Sequence, residues 1–496
     1  MEKGFESLTK TEYMTFLRHP AWLWLLKNNP ELLPPTDEST QTIFDTGHMF
    51  EQYAEARFPN GVNLGFTTPE EYAALPARTS EALAAGAKTI FQGRFKYEQL
   101  SFICDIVDVV DGKLVDLHEV KSSTRAKEEH KQDLAYQMTV LELCGYSVRD
   151  ISVIHVNNEY VKNGAIDPLA ITTQTFVTDE VRGKQEITKL KVLEALGVLA
   201  LNECPDLSPL HASKEHFREW LDVYKYITKP EADSIYNLSQ LDANVLKGLQ
   251  ESGISTLQDI PAHFPLKPKQ RLQVEATKQG KPIIQADKIR QFISSLSYPL
   301  YFLDYETDAS LVPHFDGVKP FQQLPFQFSL HILDHPDAEL RHAQYLHTDA
   351  TNPAAPLTTA LMEQIGEEGT LLAWNMSFEK SCNRLLGEIQ PGHKGFLEDL
   401  NTRMVDLMTP FSKDWYVDAR FKGSASIKNV LPVLVPELSY STLEITNGVT
   451  SQRVWRETVL EGKNAGQREK ILADLDAYNG LDTLALAAIH DVLKNI

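Results

Sequence analysis

The chain has 496 residues, of which 42% are hydrophobic and 23% are charged, values typical of a soluble globular protein with two to four domains. Its formal net charge of −20 argues against a protein that coats duplex DNA, because such binding depends on many contacts between basic side chains and phosphates. A metal-dependent nuclease is compatible with this charge, since bound metal ions supply positive charge locally.

The sequence carries no sign of a membrane or export segment. No run of about 18 apolar residues occurs, and the opening residues MEKGFESLTK have no signal-peptide core. The four cysteines lie far apart and match neither a disulfide framework nor a zinc site: Cys104, Cys144, Cys204 and Cys382. We therefore expect a cytoplasmic, reduced protein without a membrane partner.

Two helical patterns open the chain. Thr9 or Thr11 can cap the first helix, and the second begins near Asp45. Glu51 and Glu55 stand four residues apart, so they share one face of the second helix. Either glutamate alone is more often a solvated residue than a metal ligand.

Residues 101–123, SFICDIVDVVDGKLVDLHEVKSS, predict two strands joined by a turn at residues 111–112. Glu119 and Lys121 stand two residues apart and share a face of the second strand. Acids in such a hairpin can hold Mg²⁺ or Mn²⁺, and the lysine can stabilise charge that develops on a phosphate. A bare Glu-x-Lys is common, but here a helix that opens with DLAYQ at residues 133–137 follows it.

This order of residues resembles the RecB/Cas4-like branch of the PD-(D/E)XK nucleases. The resemblance implies metal ligation by Glu51, Asp105 and Glu119, and catalytic roles for Lys121 and Gln137. His48 is the alternative to the first of these ligands, and Asp108 is the alternative to the second.

Many members of that branch carry an iron–sulfur cluster bound by cysteines on both sides of the nuclease core. Here His19 stands where the resemblance places the first cysteine, and only Cys204 remains after the core. A cluster needs a full set of thiolate ligands. We therefore expect no iron–sulfur cluster. Side-chain packing would hold this region together instead.

Residues 241–260 predict two short amphipathic helices around Ser252-Gly253-Ile254. The pattern resembles a helix-hairpin-helix, whose turn amides contact a phosphate, and a plain helical connector is the alternative. Residues 265–290 follow with seven basic side chains against two acids, a local excess of positive charge in an acidic chain. We expect nucleic acid to contact Lys267, Lys269, Arg271, Lys278, Lys281 and Gly253.

The segment SYPLYFLDYETD at residues 297–308 contains an apolar run that is typical of a buried strand. Asp304 and Glu306 follow this run two residues apart, so they project from one face of the strand. Two carboxylates on one face repel each other unless a cation neutralises them, and a divalent cation does so best.

Further acids follow in two later segments. Glu379 lies just after a second apolar run at 371–374, and Tyr478 and Asp482 stand four apart on one face of the last helical pattern. This order resembles the DEDD exonucleases of the RNase H-like fold, in the variant whose last motif carries a tyrosine. The segments LDYET, PFQFSLHIL and GSASIKNVLP, at 303–307, 325–333 and 423–432, resemble the DUF2779 branch of that superfamily.

The DEDD resemblance implies two metal ions, Mg²⁺ or Mn²⁺, held by Asp304, Glu306, Glu379 and Asp482. Asp304, Glu306, Asp482 and Tyr478 would form the catalytic set, with the tyrosine orienting the attacking water. Glu379 departs from the family, which usually has an aspartate at that point.

The sequence thus predicts a multidomain α/β protein. A PD-(D/E)XK nuclease domain occupies residues 1–225, a basic connector with a helix-hairpin-helix 226–295, and an RNase H-like exonuclease domain 296–496. The expected function is metal-dependent hydrolysis of nucleic acid at two centres, with DNA that is single-stranded or has exposed ends favoured over RNA. The alternatives are a nucleic-acid-binding scaffold with one or both centres inactive and an RNA-processing exonuclease.

Overall fold

The structure, a computed structural model, describes residues 7–35 and 38–496, without the side chains of residues 38–46. The opening MEKGFE, where no signal peptide is expected, lies outside the described residues. The chain divides into two compact units, Met1–Pro230 and Glu231–Ile496, both of mixed helix and strand. Most of the predicted connector falls within the second unit. None of the described helices is long and apolar enough to cross a membrane.

The first unit contains nine α-helices and nine strands in the part that the structure describes. The helices are α1 Lys10–Arg18, α2 Pro20–Asn28, α3 Glu38–Glu55, α4 Pro69–Ala84, α5 Glu128–Leu143, α6 Pro168–Ile171, α7 Thr178–Arg182, α8 Gln185–Leu199 and α9 Phe217–Thr228. The strands are β1 Leu8–Thr9, β2 Val62–Asn63, β3 Thr89–Phe91, β4 Arg94–Tyr97, β5 Leu100–Ile103, β6 Ile106–Asp111, β7 Leu114–Lys121, β8 Ser147–Val156 and β9 Thr172–Phe176.

Two sheets organise the first unit, one in the order β2-β3-β6-β7-β8-β9 and one in the order β1-β5-β4. The β6–β7 hairpin turns at Gly112, whose φ of 54° suits glycine, as the sequence predicts. Strands β7 and β8 are parallel, and the buried helix α5 makes the crossover between them.

The prediction of only two strands over residues 101–123 is wrong. The chain leaves β5 of the smaller sheet at Ile103 and enters β6 of the larger sheet at Ile106, so the first predicted strand is split. Asp105 lies at this crossing, and its Oδ2 accepts a hydrogen bond from the Val120 N–H at 2.7 Å. The crossing therefore turns Asp105 toward β7.

The N-terminal helix begins as predicted at Thr9, whose side chain and backbone form a capping box with Glu12. The two residues before the helix pair with β5 in parallel, and the Tyr136 hydroxyl of α5 donates to the Leu8 carbonyl. These contacts fix the start of α1, and with it the backbone of Lys10, beside β5 and α5.

The second unit contains ten helices and seven strands. The helices are α10 Ala243–Glu251, α11 Pro268–Gln279, α12 Ala286–Ser294, α13 Ala354–Gln364, α14 Ser377–Ile389, α15 Lys394–Arg403, α16 Thr409–Ser412, α17 Ile427–Leu434, α18 Gly448–Trp455 and α19 Arg468–Lys494. The strands are β10 Ile283–Ile284, β11 Leu300–Asp308, β12 Leu324–Leu333, β13 Arg341–Leu346, β14 Thr370–Ala373, β15 Met404–Asp406 and β16 Tyr416–Val417.

Five of these strands form a mixed sheet in the order β13-β12-β11-β14-β15. The first three pair with one another in antiparallel fashion, and β14 and β15 run parallel to β11. The central strand β11 is buried along almost its whole length, as its apolar sequence predicts. The long helix α19 packs against β11 and β12, which places the C-terminal helix next to the central strand.

The predicted helix-hairpin-helix is wrong in its second half. Helix α10 ends at Glu251, and no helix follows among the described residues until Pro268. Gly253 adopts φ of 69°, and the N–H groups of Gly253 and Ile254 bond back to carbonyls of α10. The turn amides therefore cap their own helix, and the two prolines at 261 and 265 disfavour a helix directly after it.

Candidate functional site

An acidic cavity lies between the central strand and the last helix of the second unit. Asp304 and Glu306 project from the same face of β11, and Asp482 reaches them from α19. One oxygen from each of these three carboxyls lies within 4.8 Å of the others. Among the described residues, this is the one group of three or more acidic, histidine or cysteine ligands so closely spaced.

Glu379 supplies the fourth predicted acid from the first turn of α14. Its side chain is only 2% exposed, and its Oε2 atom has no hydrogen-bond partner within the described structure. Burying a carboxyl oxygen without a hydrogen-bond donor is energetically unfavourable. We therefore expect this oxygen to contact a group that the chain itself does not supply. Burial, then Asp482, Glu306 and Glu379, raise the pKa of Asp304 well above its ordinary value.

The acids of the cavity hold their protons unusually tightly. Burial, followed by repulsion from Asp482, raises the pKa of Glu306 to about 8, and burial raises the pKa of Glu379 to about 8 as well. Burial also raises the pKa of Asp482 to about 6. A bound cation would favour the charged form of these carboxyls and so offset both burial and mutual repulsion, and oxygen ligands suit Mg²⁺ or Mn²⁺. The residues present therefore fit a divalent cation.

The cavity beside these acids has a volume of about 460 Å³. Tyr478 lines it, and burial followed by the charges of Asp482, Glu306 and Asp304 raises the pKa of this tyrosine far above its ordinary value. Its hydroxyl is therefore protonated at neutral pH and can act as a hydrogen-bond donor. The structure thus brings Asp304, Glu306, Tyr478 and Asp482 together at one cavity, and Glu379 lies outside its lining but close enough to act on Asp304.

Two further residues of this site were missed from the sequence. The Tyr440 hydroxyl donates to Asp482 Oδ1 at 2.6 Å, and Lys428 lines the cavity. Lys428 lies close enough to lower the pKa of Glu306 and of Asp482 against the larger effect of burial. The lysine stands in the segment GSASIKNVLP and could have been singled out, whereas no local pattern marks Tyr440.

A second polar cluster lies in the first unit, around Glu119 of β7. Lys121 Nζ lies 2.6 Å from Glu119 Oε1, and the Gln137 amide donates to Glu119 Oε2 at 2.7 Å. Asp105 lies on the same side through its bond to the Val120 N–H. Four of the residues that the sequence predicts for this centre are therefore close together.

Lys10 and Asp133 belong to this cluster and were not predicted. Lys10 Nζ lies 3.0 Å from Glu119 Oε1 and 3.7 Å from Asp105 Oδ1. Asp133 accepts from Lys121 at 3.2 Å and from the Gln137 amide at 2.8 Å. An ammonium group thus occupies the space between the two acids that were expected to bind metal, so the cluster as arranged does not fit a divalent cation.

The remaining predicted ligand of the first unit has other partners. Glu51 Oε2 accepts from the Gln92 amide at 3.0 Å, and Glu51 Oε1 lies 3.4 Å from His48 Nδ1. Asp108, the alternative hairpin acid, accepts from the Thr89 hydroxyl at 2.5 Å. Asp105 rather than Asp108 therefore lies with Glu119.

The basic residues around α11 are largely engaged within the protein. Arg271 donates to the carbonyls of Pro261 and Phe264, and Lys278 donates to the Ile260 carbonyl at 2.5 Å. Lys267 forms an ion pair with Asp242 at 3.1 Å and Lys269 one with Asp414 at 3.7 Å, while Lys281 is exposed. Nucleic-acid binding by this surface stays a prediction, and Arg271 has a structural role.

We expect Arg271→Ala to lower the stability of the second unit by about 1–3 kcal/mol, because it leaves two carbonyls without their donor. The measurement is the free energy of unfolding in urea. The control is Lys281→Ala, whose exposed side chain should change stability little. Equal stability of both variants would contradict this role.

The region around His19 and Cys204, where relatives of the predicted nuclease bind an iron–sulfur cluster, is packed with aromatic rings. His19 is buried and stacks on Trp220 at 4.0 Å; its Nδ1 accepts from the Ala21 N–H, and its Nε2 contacts the Ser208 carbonyl. Cys204 packs against the same group of side chains. We expect the purified protein to contain no iron, which elemental analysis checks; iron that tracks a visible absorbance band would contradict this.

Comparison with known proteins finds a family model that matches one segment of the chain. Residues 301–426, about a quarter of the chain, match a domain of unknown function, DUF2779, which confirms the predicted resemblance for this segment. The match includes Asp304, Glu306 and Glu379, whereas Asp482 lies beyond it. No curated protein matches the chain.

Proposed function

We propose that the protein is a metal-dependent nuclease whose reaction takes place in the acidic cavity of the second unit. The observation that carries this proposal is the convergence of Asp304, Glu306 and Asp482 within 4.8 Å. The unpartnered oxygen of the nearby Glu379 adds a fourth acid in need of a partner. Four carboxyl groups with a single cavity lysine, Lys428, call for further positive charge.

The topology of the second unit supports an RNase H-like fold for this nuclease. Three antiparallel strands are followed in the sheet by two strands parallel to the central one, and the acid pair lies on that central strand. The last acid comes from a C-terminal helix packed on the sheet, as the DEDD resemblance implies. The crossover helix between β7 and β8 similarly supports a PD-(D/E)XK-like fold for the first unit.

The residues of the cavity have distinct roles in this proposal. A divalent cation held by Asp304, Glu306, Glu379 and Asp482 would polarise the phosphate and lower the pKa of a bound water. The protonated Tyr478 hydroxyl orients the attacking water by hydrogen bonding. Lys428 places a positive charge beside the acids, where a phosphate oxygen can bind.

Tyr440 is a positioning residue in the same proposal. Its hydroxyl holds one oxygen of Asp482, so the other oxygen is left to face the cavity. Because the pKa of Tyr440 is raised by burial and by Asp482, the phenol stays a donor at neutral pH. DNA is the proposed substrate, and RNA is the alternative.

The test of the proposed function is incubation of the full chain with end-labelled DNA and RNA, single- and double-stranded, in Mg²⁺, Mn²⁺ or chelator. We expect shortened products with metal and none with chelator. Stable binding of any of these nucleic acids without cleavage in either metal would favour the alternative, a nucleic-acid-binding scaffold.

A further inference from the structure

The first unit contains a polar cluster that the sequence predicts to bind metal. Within the cluster, lysine and glutamine side chains already bind the acids. We name it the lysine–acid cluster, formed by Lys10, Asp105, Glu119, Lys121, Asp133 and Gln137. This cluster is independent of the proposed chemistry in the second unit. Its geometry decides whether a divalent cation can join it.

Glu119 lies at the centre of the cluster with a side chain only 1% exposed. Its Oε1 accepts hydrogen bonds from the ammonium groups of Lys121 at 2.6 Å and Lys10 at 3.0 Å. Its Oε2 accepts hydrogen bonds from the Gln137 amide at 2.7 Å and from Lys10 at 3.3 Å. A carboxylate oxygen has two lone pairs, so each oxygen of Glu119 has its full complement of donors. No position on this carboxylate is left for a metal ion.

The charges of the cluster lead to the same result. Two lysines face three acids: Asp105, Glu119 and Asp133. The cavity of the second unit differs, since Asp304, Glu306 and Asp482 line it with the single lysine Lys428.

We propose that Lys10 takes the place of a divalent cation in the lysine–acid cluster, so that the first unit holds these acids together without metal. The ammonium lies 3.0 Å from Glu119 and 3.7 Å from Asp105, between the two acids that a metal would bridge. The start of α1 is fixed by the capping box and by the pairing of β1 with β5. The backbone of Lys10 is thereby held beside Glu119, although the two residues are 109 positions apart in the sequence.

The test uses the full chain with Asp304→Asn and Asp482→Asn, so that the second unit does not contribute metal binding. To this parent we add Lys10→Met, which keeps the length of the side chain and removes its charge. The control variant is Lys10→Arg, which keeps the charge. Binding of Mn²⁺ is measured by calorimetry, and thermal unfolding is recorded with Mn²⁺ and with chelator.

We expect the parent and Lys10→Arg to bind no Mn²⁺ and Lys10→Met to gain one bound ion. Adding Asp105→Asn to Lys10→Met should abolish that gain, because it removes a ligand. If Lys10→Met is unfolded without metal, Mn²⁺ should restore its folding, and it should fail to do so once Asp105→Asn is present. The proposal is overturned if the parent binds Mn²⁺ and loses it on Asp105→Asn, or if Lys10→Met binds none or is not restored by Mn²⁺.

Discussion

Asp304→Asn is expected to abolish hydrolysis and, in chelator, to raise the melting temperature of the second unit. The carboxyl of Asp304 is half-buried, and its desolvation, followed by repulsion from Asp482, Glu306 and Glu379, raises its pKa. An uncharged amide of the same shape relieves that repulsion but is a poor metal ligand. Loss of a cation-mediated effect of several kcal/mol lowers the rate by about a thousandfold or more.

The rise in melting temperature should be about 2–4 °C for each kcal/mol of repulsion relieved. The matched control is Asp418→Asn, because Asp418 is a buried aspartate of the same unit that is neutralised by Arg420, with 2.6 Å between the charged atoms. This control should lower the melting temperature and keep the rate. An Asp304→Asn protein that cuts nucleic acid at the wild-type rate, or that is less stable than wild type in chelator, would contradict the assignment.

The second large effect concerns pH in the absence of metal. Burial raises the pKa of both Glu306 and Glu379 from 4.5 to about 8, so the folded chain keeps protons that the unfolded chain has released. Stability therefore falls as pH rises between these values. Several buried histidines have a pKa lowered to about 4 by burial, and they act in the opposite direction below pH 6.5: His19, His118, His130, His331 and His490.

The cleaner window is therefore from about pH 7.5 to about pH 8, because one unit above their ordinary pKa of about 6.5 the histidines are almost entirely neutral in both states. There, metal-free stability should fall by about 1.4 kcal/mol per pH unit for each carboxyl that stays protonated. Mn²⁺ at about 100 times its Kd should restore about 2.7 kcal/mol. Urea unfolding at several pH values measures both effects, and Glu379→Gln should flatten the pH dependence. A stability that rises over this window without metal would contradict the account.

The parts of the site that the sequence predicts are those set by local periodicity. Asp304 and Glu306 share a face because strand residues alternate, and Tyr478 and Asp482 share a face because they stand four apart in a helix. Glu379 follows a strand and opens a helix, which is also a local pattern. These short-range rules place side chains on elements, and the resemblance to the DEDD exonucleases predicted that these side chains would meet in one site.

The parts that could not be predicted depend on contacts between distant segments. Lys10 meets Glu119 across 109 residues, and Tyr440 meets Asp482 across 42. The break between β5 and β6 arises because the chain changes sheets, which no periodicity records. The helix expected after Gly253 fails because the turn amides are taken up by the preceding helix.

The central claim is that the acids of the second unit, and not those of the first, hold the metal ions of a nuclease. The most direct measurement is anomalous X-ray scattering from a crystal of the wild-type chain soaked in Mn²⁺. The account predicts Mn²⁺ among Asp304, Glu306 and Asp482, with no Mn²⁺ between Asp105 and Glu119. A Mn²⁺ ion between Asp105 and Glu119, with none at Asp304, would contradict it.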